Sequence, residues 1–408
     1  MRLDRKSQAF LQTRYAHFVW LVFLITLAIT TNAYSFKTFL TDKDPNLRTN
    51  KHRDFRNKQT FSQKKLSGRN ILKSTNTEIY NNMVDTLPKS SPSTNESFHS
   101  KSILITGASG GLGRSLALQF STCIPRVLIL SARNEEALKQ VVEECKVISP
   151  TSVIHMLLCD LSNMDQVKQL GDEALKLCYQ SGFGVVDVLV NNGGISSRSK
   201  FLDTTIEVDE TVMRVNYLAG ACLAKKVVPD MVKQKSGKII WISSVQGLGK
   251  QSILLKIVCI SIKVQTQTIT ILKLLVGIPN RTSYAASKFA VQGYCESLRA
   301  ELAPCNVSVH VISPGYIRTN LSRSAMLGDG RQYNQMDATT ASGADPQDVA
   351  YTILDEVAKG RSDIIVAATF SAKVAIWLRF LLPTLLQYLL VSRFIKSEQK
   401  SADKDKNE

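Results

Sequence analysis

Thr106-Gly107-Ala108-Ser109-Gly110-Gly111-Leu112-Gly113-Arg114 follows directly on the apolar run Ser102–Thr106 and opens a segment of helical length. Strand, glycine turn and helix in that order decide the fold. Glycine lets the chain turn tightly, and it lets backbone N–H groups approach a pyrophosphate seated on the helix N-terminus. Gly107, Ser109, Gly110, Gly111, Leu112 and Gly113 are therefore candidate cofactor-binding residues.

Outward from that turn, apolar runs of strand length alternate with amphipathic segments of helical length. The runs are Ser102–Thr106, Val127–Ser131, Val153–Leu158, Val185–Val190, Lys238–Ser243, Val307–Ile312 and Ile364–Val366. Such alternation predicts βαβ units and a parallel sheet covered on both faces. The expected fold class is α/β, a Rossmann-type doubly wound parallel sheet of about seven strands in a single domain over residues 101–370.

The second strand runs into Ala132-Arg133-Asn134. A site that prefers NAD places a carboxylate at this strand end to accept the ribose hydroxyls. Ala132 offers none, whereas the Arg133 fork suits a 2′-phosphate. NADP(H) is thus the preferred cofactor, with NAD(H) as the alternative, and Arg133 and Asn134 join the cofactor-binding set.

Tyr284 and Lys288 lie four residues apart, on one face of a helix. A free phenol titrates near 10 and is a poor acid–base at neutral pH. A neighbouring ammonium favours the phenolate and is expected to bring the pKa toward the working range. The phenol could then pass a proton to a carbonyl oxygen as hydride reaches the carbon.

Taken together, Thr106–Gly113, Asn191-Asn192-Gly193-Gly194, Ser243-Ser244, Tyr284–Lys288 and Pro314-Gly315 resemble, in content and order, the short-chain dehydrogenase/reductases. The resemblance covers about residues 101–370. Asp203–Asp209, Ile242–Gly247 and Val311–Leu321 look like the membrane-anchored "family member seven" group within them. The resemblance implies an oxidoreductase acting on a carbonyl/alcohol pair, and a homodimer or homotetramer. Tyr284 would be the acid–base, Ser244 would hold the substrate carbonyl, and Lys288 would hold the nicotinamide ribose. Asn216 would anchor a relay water. Asp160 and Leu161 would border the adenine, and Asn192 the adenosine side. Pro314, Gly315, Ile317 and Thr319 would line the nicotinamide carboxamide.

Two departures stand out. Gly193 replaces the alanine usual in Asn-Asn-Ala-Gly, a loss of one methyl worth about 1 kcal/mol in backbone freedom. Ser244 also precedes Tyr284 by 40 positions. Removing Gln251–Gly277, 27 residues of apolar, β-branched sequence, would restore the implied spacing. We read this stretch as a retained intron or similar error rather than as a functional lid. It raises the question whether Ser244 reaches Tyr284 at all. It also motivates a rival reading, a membrane-tethered cofactor-binding regulatory protein without turnover.

The formal charge is +17, but residues 1–100 hold 16 Lys/Arg against 7 Asp/Glu. More than half of the excess lies outside the expected domain, and no basic motif is interleaved with aromatics, which argues against nucleic-acid binding. Residues 18–36 carry no charge and are long enough to cross a bilayer, behind a basic flank over 1–17. We expect a single-pass anchor in the endoplasmic reticulum or peroxisomal membrane, with the body mildly favoured on the cytosolic side. Residues 37–100 read as a disordered basic tether. Residues 371–395 form an apolar segment interrupted by Arg379 and Pro383, expected to lie at the membrane interface or pack on the domain. A charged tail covers 396–408. The eight cysteines include no C-x-x-C pair, so no metal is expected. The anchor suggests a lipophilic carbonyl or alcohol as substrate.

Overall fold

The computed structural model describes residues 87–245 apart from 183, residues 278–366, and 387–392, 394, 395 and 399 near the C-terminus. The expected anchor at 18–36 and the 251–277 stretch lie outside the described residues, as does most of 371–395. Within that last segment, residues 387–392 and 394–395 are helical. Among the described residues no helix is long and apolar enough to cross a membrane.

Seven strands form one parallel sheet. They are β1 (Ser102–Thr106), β2 (Val127–Ala132), β3 (Val153–Leu158), β4 (Val188–Asn191), β5 (Gly237–Ile242), β6 (Val307–Pro314) and β7 (Asp363–Val366). Their order is β3-β2-β1-β4-β5-β6-β7. Every adjacent pair is parallel. The order reverses between β1 and β4, and ligands of open α/β sheets bind at the strand carboxyl ends beside such a reversal. The glycine turn after β1 and Asn191–Gly194 at the end of β4 both lie there.

Why the central strands are apolar throughout follows from the two-sided cover. Ile103 and Ile105 enter one core with Leu128 and Leu130, while Leu104 and Ile129 enter the core on the other face. Successive side chains of a strand point to opposite faces, so a strand buried on both sides has no polar stripe. The covering helices are α2 (Gly111–Ser121), α3 (Glu135–Ile148), α4 (Met164–Gln180), α5 (Ile206–Met213), α6 (Ala219–Lys233), α7 (Thr282–Leu302) and α9 (Pro346–Ala358). Between α5 and α6 the chain makes a π turn over Arg214–Leu218. Tyr217 of that turn meets Tyr294 of α7 edge to face at 5.6 Å.

The tether reading of 37–100 ends too late. Residues 92–98 form a helix, α1 (Pro92–Phe98), capped by the Ser91 hydroxyl with proline in its first turn. Phe98 is fully buried and meets Phe120 of α2 edge to face at 5.0 Å. Ser91 also donates to Asp355 of α9 at 3.0 Å. Among the described residues of this stretch only two apolar side chains, Leu87 and Phe98, are buried. That is too few to give a periodic signal, so the polar composition masked a docked element.

In β6, His310 is a structural histidine. Its Nδ1 faces the Arg361 carbonyl at 2.7 Å, so Nδ1 carries the proton. Its Nε2 then accepts from the Ser308 hydroxyl at 2.8 Å. Burial drives its pKa from 6.5 down to about 4. The neutral ring therefore stabilises the fold above pH 6.5, and that contribution is lost as pH falls from 6.5 toward 4. The expected loss is about 3 kcal/mol. Thermal melts across this window should show the fall, and His310→Gln should flatten it.

Candidate active site

The turn after β1 has the shape that an anion at a helix N-terminus needs. Gly107 and Gly111 adopt φ of +65° and +52°, a region open to glycine at little cost. Gly113 packs against the turn so closely that a Cβ would overlap the Gly107 carbonyl. Gly110 caps α2 with no side chain, and a Cβ there would meet nothing within 4 Å. First-turn amides of a helix have no partner within it, and here they border open space. The residues present thus fit a dinucleotide pyrophosphate.

Thr106 and Asn192 hold this turn against β4. The Asn192 amide nitrogen donates to the carbonyls of Thr106 at 3.0 Å and Gly107 at 3.2 Å. The backbone N–H groups of Asn192 and Gly193 both donate to the Thr106 hydroxyl at 3.1 Å. Expected as an adenosine contact, Asn192 spends both amide hydrogens on the cradle itself. Gly193 has a spatial reason: a Cβ would overlap Leu161 Cδ1. Leu161 fills the space the usual methyl takes, so the loss is compensated locally.

The other expected cofactor residues gather at the same strand ends. Arg133 is exposed beyond β2, and among the described residues no carboxylate pairs with it. Asn134 caps α3 by accepting from the Ala137 N–H at 2.9 Å, so its oxygen is committed. Asp160 accepts from Ser162 N–H at 2.9 Å and Ser162 Oγ at 2.8 Å, while Asn163 caps α4. Leu112 is buried within α2, which leaves only its backbone for a ligand. Pro314 ends β6, Gly315 N–H donates to the Val366 carbonyl at 2.8 Å, and Ile317 packs on the core. Thr319 faces Gly111, where a Cβ would lie 3.1 Å from its side chain.

Despite a separation of 40 positions, Ser244 reaches Tyr284: their side chains hydrogen-bond, and both are buried. Ser244 stands just past β5, and Tyr284 in the first turn of α7. Gln292, two turns further along α7, approaches Ser243 at 3.5 Å and Ser313 at 3.3 Å, tying the helix to the ends of β5 and β6. Lys288 Nζ donates to the Ile242 carbonyl at 3.0 Å and lies 5.6 Å from the Tyr284 ring centroid. Asn216, in the π turn, donates to Ile195 O at 2.9 Å and Ser287 Oγ at 2.8 Å, and accepts from Ile195 N–H at 2.8 Å. Its side chain therefore ties the π turn to α7 rather than standing free.

The electrostatics correct one expectation. Burial raises the Tyr284 phenol above its ordinary value, opposed by the Ser244 hydrogen bond and the charges of Arg281 and Arg198. Ser244, Arg281 and Arg198 are the leading downward influences on the phenol, ahead of Lys288 at 5.6 Å from the ring centroid. The Lys288 ammonium faces a backbone carbonyl, and burial drives its own pKa down to about 8. Sequence reasoning missed Ser287, which donates to the Tyr284 carbonyl at 2.8 Å, although it stands inside the Tyr284–Lys288 motif. It also missed Arg198, Arg281 and Asp337, whose wide separation leaves no local pattern to find.

Comparison with known proteins agrees with this geometry. The family model for short chain dehydrogenases matches residues 101–255 and 268–328. The gap between the two stretches falls inside 251–277. The chain is 38% identical over 305 residues to dehydrogenase/reductase SDR family member 7B of Xenopus tropicalis, covering 74% of this chain and 87% of the relative. It is 39% identical over 308 residues to the member 7B protein of Danio rerio, with coverage of 74% and 87%. Among solved structures, a short chain dehydrogenase/reductase from Burkholderia phymatum in complex with NAD aligns with a TM-score of 0.54 at 23% identity, covering 69% of this chain and 93% of that one. A short-chain dehydrogenase from Sphingobium yanoikuyae in complex with NADPH aligns with a TM-score of 0.50 at 22% identity, covering 65% and 87%. With its glycine turn, its serine–tyrosine pair and these relatives, the chain belongs to the short-chain dehydrogenase/reductase family.

Proposed function

We propose that the protein interconverts a carbonyl and an alcohol on a lipophilic substrate by NADP(H)-dependent hydride transfer. The observation that carries this reading is the buried Ser244–Tyr284 hydrogen bond beside the glycine turn. When bound, the nicotinamide gives a hydride to the substrate carbon or takes one from it. Tyr284 gives the carbonyl oxygen its proton in reduction and recovers it in oxidation. Ser244 holds that oxygen within reach, and Lys288 borders the ribose side. A phenol raised by burial keeps its proton at neutral pH, which suits reduction.

Arg133 supports NADP(H) over NAD(H), since a guanidinium at the β2 end pairs with a 2′-phosphate and repels nothing there. Solved relatives in fold hold either nucleotide. The uncharged stretch at 18–36 supports a single-pass anchor in the endoplasmic reticulum or peroxisomal membrane, and an anchored enzyme meets lipophilic substrates such as a steroid, retinoid or lipid ketone.

The test is NADPH oxidation against a panel of lipophilic ketones, using the full chain and a form lacking Gln251–Gly277. Turnover is expected, with a kcat/KM preference for NADPH over NADH of roughly tenfold or more. Arg133→Asp should reverse that preference. Inert protein that still binds NADPH would favour the regulatory reading instead.

A further inference from the structure

A half-buried charge cluster stands between the catalytic helix and the segment that follows β6. One carboxylate oxygen, Asp337 Oδ2, accepts from Arg198 Nε at 3.0 Å and from a terminal Arg198 nitrogen at 2.6 Å. The same oxygen accepts from Arg281 at 3.1 Å and from the Ser322 hydroxyl at 3.1 Å. The side chains of Arg198, Arg281 and Asp337 are only 10%, 13% and 18% exposed. Arg198 also donates to Ser196 Oγ at 2.6 Å and the Ser197 carbonyl at 2.8 Å.

These residues come from three separate parts of the chain. Arg198 lies after β4, Arg281 is the N-cap residue of α7, and Asp337 precedes α8 (Ala338–Ala341). Asp337 sits at an N-cap position yet makes no side-chain cap hydrogen bond there, because its carboxylate is turned to the arginines. The backbone reinforces the joint: Met326 N–H donates to Ser196 O at 2.9 Å, and Arg198 N–H to Met326 O at 2.8 Å.

The cluster adjoins the catalytic tyrosine. Arg281 is three residues before Tyr284, and the Ala285 N–H donates to the Arg281 carbonyl at 2.9 Å. Tyr284 faces Ser244 from the end of β5, Lys288 from its own helix, Arg281 and Arg198 from the cluster, and Tyr316 from the segment after β6. Two guanidinium groups against one carboxylate leave a single net positive charge. That charge favours the phenolate, in addition to the Lys288 ammonium 5.6 Å from the ring centroid.

We propose that Arg198, Arg281 and Asp337 are positioning residues of the active site, latching the segment after β6 to the catalytic helix and presenting one net positive charge to Tyr284. The proposal rests on Tyr284 being the acid–base. It makes the substrate-side segment and the proton donor parts of one electrostatic unit: a change in how that segment docks changes the charge that the phenol faces.

The experiment uses full-length Arg281→Lys, Arg281→Gln and Asp337→Asn proteins. Two quantities are read: the pH profile of alcohol oxidation with NADP+, and an ultraviolet tyrosinate titration taken as the difference from Tyr284→Phe. Arg281→Gln is expected to move both midpoints up by about one pH unit, and Arg281→Lys to restore them. Asp337→Asn is expected to move them down and to raise the substrate KM about tenfold with NADP+ affinity unchanged. A folded Arg281→Gln that loses activity with unmoved midpoints would make the cluster merely structural and overturn the proposal. Should Arg281→Gln fail to fold, the opposite shift in Asp337→Asn decides alone. If no alcohol is oxidised by any form, the acid–base reading fails, while the tyrosinate titration still decides whether the cluster sets Tyr284 ionisation.

Discussion

Tyr284→Phe is expected to lower turnover by about 10³-fold while NADPH affinity stays within a factor of about two. The phenyl ring keeps the buried volume, so the helix and the ribose side are undisturbed. What is lost is the hydroxyl that hydrogen-bonds Ser244 and can pass a proton to the substrate oxygen. The stability cost should be no more than about 1 kcal/mol, the net worth of one hydrogen bond. Steady-state kinetics, NADPH titration by fluorescence and a thermal melt separate the three quantities. A loss of NADPH binding in parallel with turnover would mean that Tyr284 shapes the cofactor site rather than the chemistry.

Gly113→Ala should damage binding and folding together. The added methyl overlaps the Gly107 carbonyl and the Asn192 amide, and the first of these is backbone that cannot rotate away. Helix α2 must move off the turn, at a cost of roughly 2–3 kcal/mol. A displacement of its N-terminus by about 1 Å should weaken NADPH binding on the order of 100-fold. Gly110→Ala is the informative contrast. Its φ of −177° is ordinary extended backbone, and its Cβ would enter open space. Its stability should change by less than about 0.5 kcal/mol. NADPH binding should still fall, because that open space borders the unpartnered amides of the first turn.

The order of β1, the glycine turn and α2 was legible because three local signals agreed: an apolar run, glycines at a strand end and a helical pattern after them. The same holds for the remaining strands, whose limits differ from the apolar runs by three residues at most, as at Val188, where β4 starts later than the run from Val185. Ser244, Tyr284 and Lys288 were legible through their order and type. Their electrostatics were not. Which way the Lys288 ammonium turns depends on the Ile242 carbonyl, 46 positions away in sequence. Likewise, Asn192 and Asn134 carry the residue types of ligand contacts, yet tertiary structure spends them on a turn and a helix cap. The docking of α1 was hidden because a seven-residue helix with one fully buried aromatic leaves almost no periodic trace.

Gly193 illustrates how a departure from a family pattern can be neutral. Read alone, it suggests a looser backbone. In place, the side chain of Leu161 occupies the volume a methyl would need, so Gly193 and Leu161 form one packing solution. Ser244 makes the complementary point. A long interval in sequence does not separate two side chains when the sheet fixes one end of it and α7 fixes the other.

Hydride transfer to a carbonyl, with Tyr284 as proton donor, is the reaction proposed for this site. It is tested most directly by incubating the full-length protein with NADPH deuterated at the nicotinamide C4 and a reducible lipophilic ketone, beside the Tyr284→Phe protein. One deuterium is expected on the carbinol carbon of the alcohol product, delivered from a single face of the nicotinamide, with at most traces of product from Tyr284→Phe. Alcohol formed equally by both proteins, or formed without deuterium at that carbon, would contradict it.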